Sequence, residues 1–343
     1  MIIRRSAALK LTIAFIASFF LIYLGTSFGS SGISAAQTLN VLLNKFFFVA
    51  LNDDIPQRTV TIIWELRLPR VLLAFCAGGA LAVSGAVVQS ILKNQLASPY
   101  ILGVSSGASL GAGLVMLSGA SLPFFGVWTL PAGGFLFALL TVYFVIAFSA
   151  RLDKTISNNT VILFGMVVSL FVNALLTMLI ALYREELRSL IIWQMGSFAL
   201  RGWPYLKMLL PFLILGFAGV MRWTREMDIL TFGDEHALSS GVDTKRVKHY
   251  LFLFSALLTG SAVALSGTIG FVDLIAPHLS RKILGSEHRF VLPMSFCTGG
   301  FLCVTADIIA RTIVAPSELP VGAITALVGA PFFIWIYFKK RHA

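Results

Sequence analysis

The sequence predicts an all-α integral membrane protein, a compact bundle of about ten transmembrane helices with both termini in the cytoplasm, and three observations lead there. The 343 residues are 57% hydrophobic and only 12% charged, with a mean hydropathy of +0.89, which is more apolar surface than one soluble core can hide. Apolar stretches follow one another from Leu66 to the C-terminus. Charged residues collect at the ends of those stretches and not on one continuous face, the arrangement that encodes topology; the net charge of +11 is therefore no sign of a nucleic-acid partner.

Taken in order, a basic start (Arg4, Arg5, Lys10) precedes the apolar run Leu11 to Leu24, which reads as a retained first transmembrane helix in preference to a secretory signal. Ser27 to Glu65 is more mixed and reads as an external segment with a short amphipathic piece around Leu39 to Leu51. A crossing helix needs about 20 residues. The predicted spans are 9–28, 68–92, 99–118, 124–150, 160–183, 204–222, 249–267, 272–284, 290–311 and 319–338, in one transmembrane domain covering 1–343. The eighth is too short to cross unaided and contains Pro277, so the irregular backbone beside it has to be enclosed by protein. Of the 26 Lys and Arg residues, 17 fall on the side that holds both termini, and that side is assigned to the cytoplasm.

Between the sixth and seventh spans lies the longest polar island, the loop 223–248. It follows Arg222, passes Arg225 and Glu226 and the short amphipathic run Asp234 to Val242, and ends in Lys245, Arg246 and Lys248. On the cytoplasmic side such a loop is either a solvated connector or a handle for a soluble partner. Small residues recur four apart at Gly103, Gly107 and Gly111 and at Gly322, Ala326 and Ala330, which predicts close helix packing.

Chemistry inside the membrane is sparse. Asp273 and Asp307 are the only serious carboxylates for an ion-coupled carrier, and Asp307 precedes Arg311 by one turn, where an i, i+4 pair would neutralise it. Gly103-Val104-Ser105-Ser106-Gly107 formally matches the Gly-x-Ser-x-Gly nucleophile pattern, with His278 as an imaginable base, but no strand precedes it and an intramembrane hydrolase is the weaker reading. No phosphate-binding Gly-x-x-x-x-Gly-Lys-Ser/Thr loop occurs, so a pump built on this chain takes its motor from another polypeptide. Cys76, Cys297 and Cys303 lie in apolar runs without a Cys-x-x-Cys spacing, and no His, Cys and acid residues fall at a recognisable ligand spacing, so no metal site is indicated.

Four stretches have to be read together: Leu66-Arg67-Leu68-Pro69-Arg70; Asn94-Gln95-Leu96-Ala97-Ser98-Pro99 followed by Leu102-Gly103-Val104-Ser105-Ser106-Gly107-Ala108; Gly267-Thr268-Ile269-Gly270-Phe271-Val272-Asp273-Leu274-Ile275-Ala276-Pro277-His278-Leu279-Ser280-Arg281; and Glu318-Leu319-Pro320-Val321-Gly322 with Gly329-Ala330-Pro331-Phe332-Phe333. From about Trp64 to the C-terminus they resemble the FecCD-type, BtuC-like permeases, the membrane subunits of ABC importers for iron-siderophore complexes, haem and vitamin B12. The resemblance implies ten helices, a second permease subunit (identical or related), a cytoplasmic ABC ATPase dimer and an extracytoplasmic substrate-binding protein, all at the bacterial cytoplasmic membrane. ATP and Mg belong to the ATPase, so this chain is expected to bind no cofactor and to be no enzyme.

The resemblance also implies site residues. Asp234, Glu235, Ala237, Leu238, Gly241 and Val242 form the ATPase-coupling stretch, with Leu238 standing where the family pattern often has Arg and Ser240 where it has Leu. Arg67, Arg70 and Arg311 are the binding-protein docking residues. A cytoplasmic gate is expected at Asn94 and Leu96, where Gln95 replaces the usual Pro, and at Asn158 and Asn159. The expected cargo is a ferric siderophore, with cobalamin or haem as the alternative and an ion-coupled secondary carrier as the less favoured class.

Overall fold

The computed structural model describes residues 2–29, 32–119, 126–152, 157–183 and 187–341; Lys154, Arg184 and the first two residues of the span expected at 124–150 lie outside them. Every described regular element is helical. Helix α1 (Ile2–Ser27) leads to α2 (Ala35–Phe47), which starts on a capping box in which Ser34 and Gln37 exchange side-chain and backbone hydrogen bonds. Next, α3 (Gln57–Thr61) passes through a π-helical turn (Ile62–Arg67) straight into α4 (Leu68–Ile91). The second span, expected at 68–92, thus begins at Gln57. Pro69 explains the wide turn: a proline ring clashes with the carbonyl four residues back, and here the Leu68 N–H reaches Ile63 O, five residues back.

Three helices follow after the loop 92–103: α5 (Val104–Ser118), α6 (Thr129–Leu152) and α7 (Asn158–Leu182). Short α8 (Leu187–Gln194) precedes α9 (Trp203–Arg222), and the polar island holds α10 (Thr224–Leu230) and α11 (Asp234–Ser239). The chain closes with α12 (Thr244–Ser266), α13 (Val272–Leu284), α14 (His288–Thr312) and α15 (Val321–Arg341).

Among the described residues seven helical stretches are long and apolar enough to cross a membrane: Ser6–Ser27, Gln57–Ile91, Gly126–Leu152, Asn158–Leu182, Trp203–Arg222, Thr244–Ser266 and His288–Thr312. The other three expected spans contain α5, α13 and α15, and the first two of these, at 15 and 13 residues, are shorter than a crossing. The chain is a multi-pass helical membrane protein.

Helix α4 is the axis, apolar all round and buried nearly all round, as a helix must be when other helices surround it. It crosses α14 where Gly78 faces Gly299, so closely that a Cβ on either would run into the other's carbonyl. Helices α9, α12 and α13 pack around the same axis, α1 lies along α14, and α5, α6 and α7 form a second group joined to it through α12.

The backbone before short α13 is enclosed, whereas Gly285, Ser286 and Glu287 after it are exposed. Ser197 N–H donates to Ser266 O at 2.7 Å, the Tyr100 hydroxyl to Ile269 O at 2.9 Å, and Val321 N–H to Gly196 O at 3.0 Å. These bonds satisfy non-helical groups that lipid would leave unpaired. The first small-residue stripe packs as expected, with Gly107 and Gly111 against α6 at Phe137 and Gly133. The second is corrected. Gly322 meets the Met195 and Thr268 carbonyls, but Ala330 is exposed and Gly329 packs on Phe271 instead.

Candidate functional site

Polar side chains concentrate at the two ends of the α4 axis. At one end, α11 is bracketed by Gly233 (φ 124°) and Gly241 (φ 82°), backbone conformations that a side chain disfavours, so the chain turns sharply before and after this short helix. Asp234 in its first turn accepts hydrogen bonds from Lys93, just past the end of α4, at 2.8 Å and from Lys248 of α12 at 2.6 Å. Burial pushes the Asp234 carboxyl up, but the bonds from Lys248 and Lys93 outweigh it and hold the group below the usual carboxylate range. Lys248 is fully buried, which corrects its reading as part of a solvated basic cluster; it lies on the buried face of α12 with Thr244, Val247 and Leu251.

The six residues expected to couple to an ATPase therefore divide. Asp234 is turned to the two lysines, Ala237 is packed into the core, and Val242 closes the loop through its N–H to Ala237 O at 2.9 Å. Glu235, Leu238 and Gly241 are exposed. Beside them stands Phe232, 78% exposed, its ring 5.9 Å from that of His236. Sequence reasoning missed Phe232, although a lone aromatic in a polar island was a visible signal. A second pin fastens the island: Asp228 of α10 accepts from the His288 backbone N–H at 3.0 Å and lies 2.6 Å from His288 Nδ1, at the N-terminus of α14.

The predicted gate loop begins beside Lys93. Asn94 accepts the Leu96 N–H on its side chain at 2.9 Å, and Leu96 itself is exposed. The loop ends at Ser98, whose hydroxyl donates to the Asp273 carboxylate, while Arg281 of α13 donates to the Gln89 side chain on α4. The far end of the loop and the last turn of α4 before it are thus both fastened to α13. A cavity of about 450 Å³ is lined by Gln89, Lys93, Asn94, Phe232, Arg281 and His288, so the loop after α4 and the polar island share one space. Asn158 and Asn159 begin α7; Asn158 Oδ1 is buried without a hydrogen-bond partner and Asn159 is exposed, and among the described residues no hydrogen bond joins either to Asn94.

At the opposite end Arg70 spans two carboxylates, donating to Asp307 from Nη2 at 2.8 Å and from Nε at 3.0 Å, and to Glu318 at 2.7 and 2.9 Å. Arg311 lies 3.5 Å from Asp307, so the carboxylate read as the partner of Arg311 takes its closer bonds from Arg70. Arg67 donates to Thr26 O and Ser27 O at 3.2 and 2.7 Å, and Arg311 to Gly25 O at 2.5 Å. These two buried arginines cap the last carbonyls of α1, where cations offset the helix dipole.

All three arginines line one cavity of about 320 Å³ together with Glu318 and a fourth, Arg201. Arg201 stacks on Tyr205 at 4.5 Å, and its Nε is buried without a hydrogen-bond partner, so its bonding capacity is partly unused. Ser105 Oγ lies 3.1 Å from Thr268 Oγ1, a hydroxyl that cannot serve as its base.

The comparisons with known proteins agree with this architecture. The uncharacterized ABC transporter permease protein YvrB of Bacillus subtilis is 41% identical over 320 residues, 93% of this chain and 90% of that protein. The hemin transport system permease protein HmuU of Yersinia pestis is 38% identical over 286 residues, 81% of this chain and 84% of that protein. Among solved structures, an inward-facing ABC transporter of metal-chelate type superposes with a TM-score of 0.83 at 29% identity, covering 96% of this chain and 98% of that one. Matched over residues 15–339 by the FecCD transport family, the chain belongs to that family of ABC transporter permeases.

Proposed function

We propose that this chain is the membrane-spanning subunit of a binding-protein-dependent importer in the bacterial cytoplasmic membrane, carrying a ferric siderophore inward with ATP hydrolysed on a separate subunit. One observation carries the reading: a single helical body bears an arginine-lined cavity at one end and an ion-pinned, glycine-bracketed helix at the other. The cavity suits a carboxylate from a docking partner, since an arginine fork pairs bidentately with such a group. Arg67, Arg70 and Arg311 contribute to it, and Arg201 adds the least committed guanidinium.

At the other end α11 is the coupling element. Its exposed Glu235, Leu238 and Gly241, with Phe232, form the surface that an ATPase groove grips. A rigid helix transmits displacement where a loose loop would absorb it. Asp234 then passes that displacement to Lys93 and the gate loop at Asn94 and Leu96, and Asn158 and Asn159 supply the gate's second side. A second permease subunit completes the pathway. The names of the relatives, one for hemin and one of metal-chelate type, support a metal chelate as cargo and leave haem or cobalamin as the alternative.

The test is uptake of labelled iron as several ferric siderophores, alongside labelled cobalamin and haem, in cells with and without the chain. Loss of one ferric chelate alone supports the siderophore reading, and loss of haem or cobalamin alone replaces it by the alternative. Uptake that collapses with an uncoupler at constant ATP would replace the importer with an ion-coupled carrier.

A further inference from the structure

The turn that ends α2 places an unusual apolar tip on the arginine-bearing end of the molecule. Lys45-Phe46-Phe47-Phe48-Val49 is exposed throughout, Phe47 by 73% and Phe48 by 90%. The tip is built and not frayed. Phe48 ends the helix in the left-handed conformation (φ 58°) with its N–H on Asn44 O, and the Asn44 side chain donates to Val49 O at 2.8 Å. A bulky residue rarely adopts that conformation, so the turn holds three phenylalanines outward at a local conformational cost. On its other side α2 is anchored: Val41 packs with Ile55, Val60 and Ile63.

The surroundings show at what depth the tip stands. Phe46 meets the Trp64 ring at 5.4 Å, Lys45 Nζ lies 5.9 Å over that ring, and Trp64 meets Trp203 at 5.2 Å, with Trp203 Nε1 donating to Trp64 O at 2.9 Å. Trp203 is the first residue of spanning helix α9 and so marks its end, and Trp64, in the early turns of the stretch that begins at Gln57, is held at the same level by its contact with Trp203. Tryptophans at that level form the belt of a membrane–water interface. The neighbouring α1, whose Tyr23 hydroxyl donates to Ala35 O at the start of α2, exposes Phe15, Phe19 and Phe20 along its length and is followed by exposed Phe28, so α2 departs from the end of a helix whose exposed face is apolar.

We propose that the tip of α2 seats in the outer boundary of the bilayer, with Phe46, Phe47 and Phe48 among the upper acyl carbons and the Lys45 ammonium at a phospholipid phosphate. The occupant is lipid. A protein partner with acidic groups is matched by the arginine cavity on the same end, whereas the tip offers a partner three aromatic rings and one cation, the composition that interfacial helices present to headgroups. Because α2 packs on the turn that carries Arg67, this seat fixes the level of the arginine cavity relative to the membrane surface. The inference requires only that α1 and α4 span, and stands or falls separately from the importer assignment.

The experiment places a nitroxide label at Phe47→Cys, and in a second protein at Phe48→Cys, with Cys76, Cys297 and Cys303 replaced by Ala, in bilayer nanodiscs containing phosphatidylglycerol. Collision with oxygen, which partitions into lipid, is compared with collision with a water-soluble nickel chelate, and Asp53→Cys in the polar loop beyond α2 serves as the aqueous control. The expected result is that oxygen dominates at Phe47 and Phe48 and nickel at Asp53. Nickel access at Phe47 and Phe48 equal to that at Asp53 overturns the proposal. So does oxygen access that disappears when a binding protein is added, which would make the tip a protein-docking surface.

Discussion

Asp234 and Lys93 meet at 2.8 Å, which joins the first turn of α11 to the end of α4, while the second oxygen of the same carboxylate takes the buried Lys248 at 2.6 Å. One side chain thereby ties the polar island to both α4 and α12. Asp234→Asn leaves Lys248 buried without its counter-charge and costs about 1–3 kcal/mol, less than a fully buried pair because the carboxylate is partly exposed. Uptake should fall while the ATPase still co-purifies, and Glu235→Gln, exposed and outside this pair, should leave stability unchanged. Full uptake by the Asp234→Asn protein would end the transmission role.

Gly241 holds φ at 82° with open space around it, so a substitution there strains the backbone without a clash. Gly241→Val costs about 1–2 kcal/mol from the left-handed conformation alone. Ala237→Leu instead overpacks a buried position, at about 1–3 kcal/mol. Both should abolish transport-stimulated ATP hydrolysis in reconstituted complexes with membrane insertion intact; stimulation that survives in both would remove α11 from the coupling path.

Arg70 neutralises the fully buried Asp307 from another helix. Arg70→Ala should destabilise by about 3 kcal/mol, and Asp307→Asn in the same chain should recover part of that loss, because the penalty is an unpaired buried charge. Thermal unfolding in detergent reads the cycle. Additive losses would mean that Arg70 and Asp307 act separately.

Arg201 lines the same cavity as Arg67 and Arg311 but caps no helix. Arg201→Ala should weaken binding-protein affinity and its salt dependence with little change in unfolding temperature, whereas Arg67→Ala should lower both. Equal affinities for wild type and Arg201→Ala would exclude Arg201 from docking.

Reading the chain before its structure worked where the physics is local. A lipid-solvated helix has to satisfy its own backbone and stay apolar over its crossing length, so α1, α6, α7, α9, α12 and α14 were visible as runs of residues. The glycine brackets of α11 went unread, Gly233 altogether and Gly241 as a turn, although a turn into positive φ is written in one residue. The π-helical turn before α4 was hidden, because its cause is how the chain accommodates Pro69 while packing Arg67 against the end of α1.

Site residues were legible as types and positions, not as partners. Arg67, Arg70 and Arg311 stand out in the sequence, but two of them turned out to cap α1, and the partner of Asp307 was sought one turn away when it lies 237 residues away in the chain. Lys248 read as solvated because its neighbours Lys245 and Arg246 are, and only the packing of α12 sends it inward to Asp234. The sequence by itself determined that the chain crosses the membrane repeatedly and which polar residues stand at the ends of its spans, because hydropathy and backbone conformation act over a few residues. The tertiary structure decided which charges are paired, which glycines are contact points and which arginine keeps bonding capacity to spare, because a buried charge is stabilised by whatever the fold brings within about 3 Å of it.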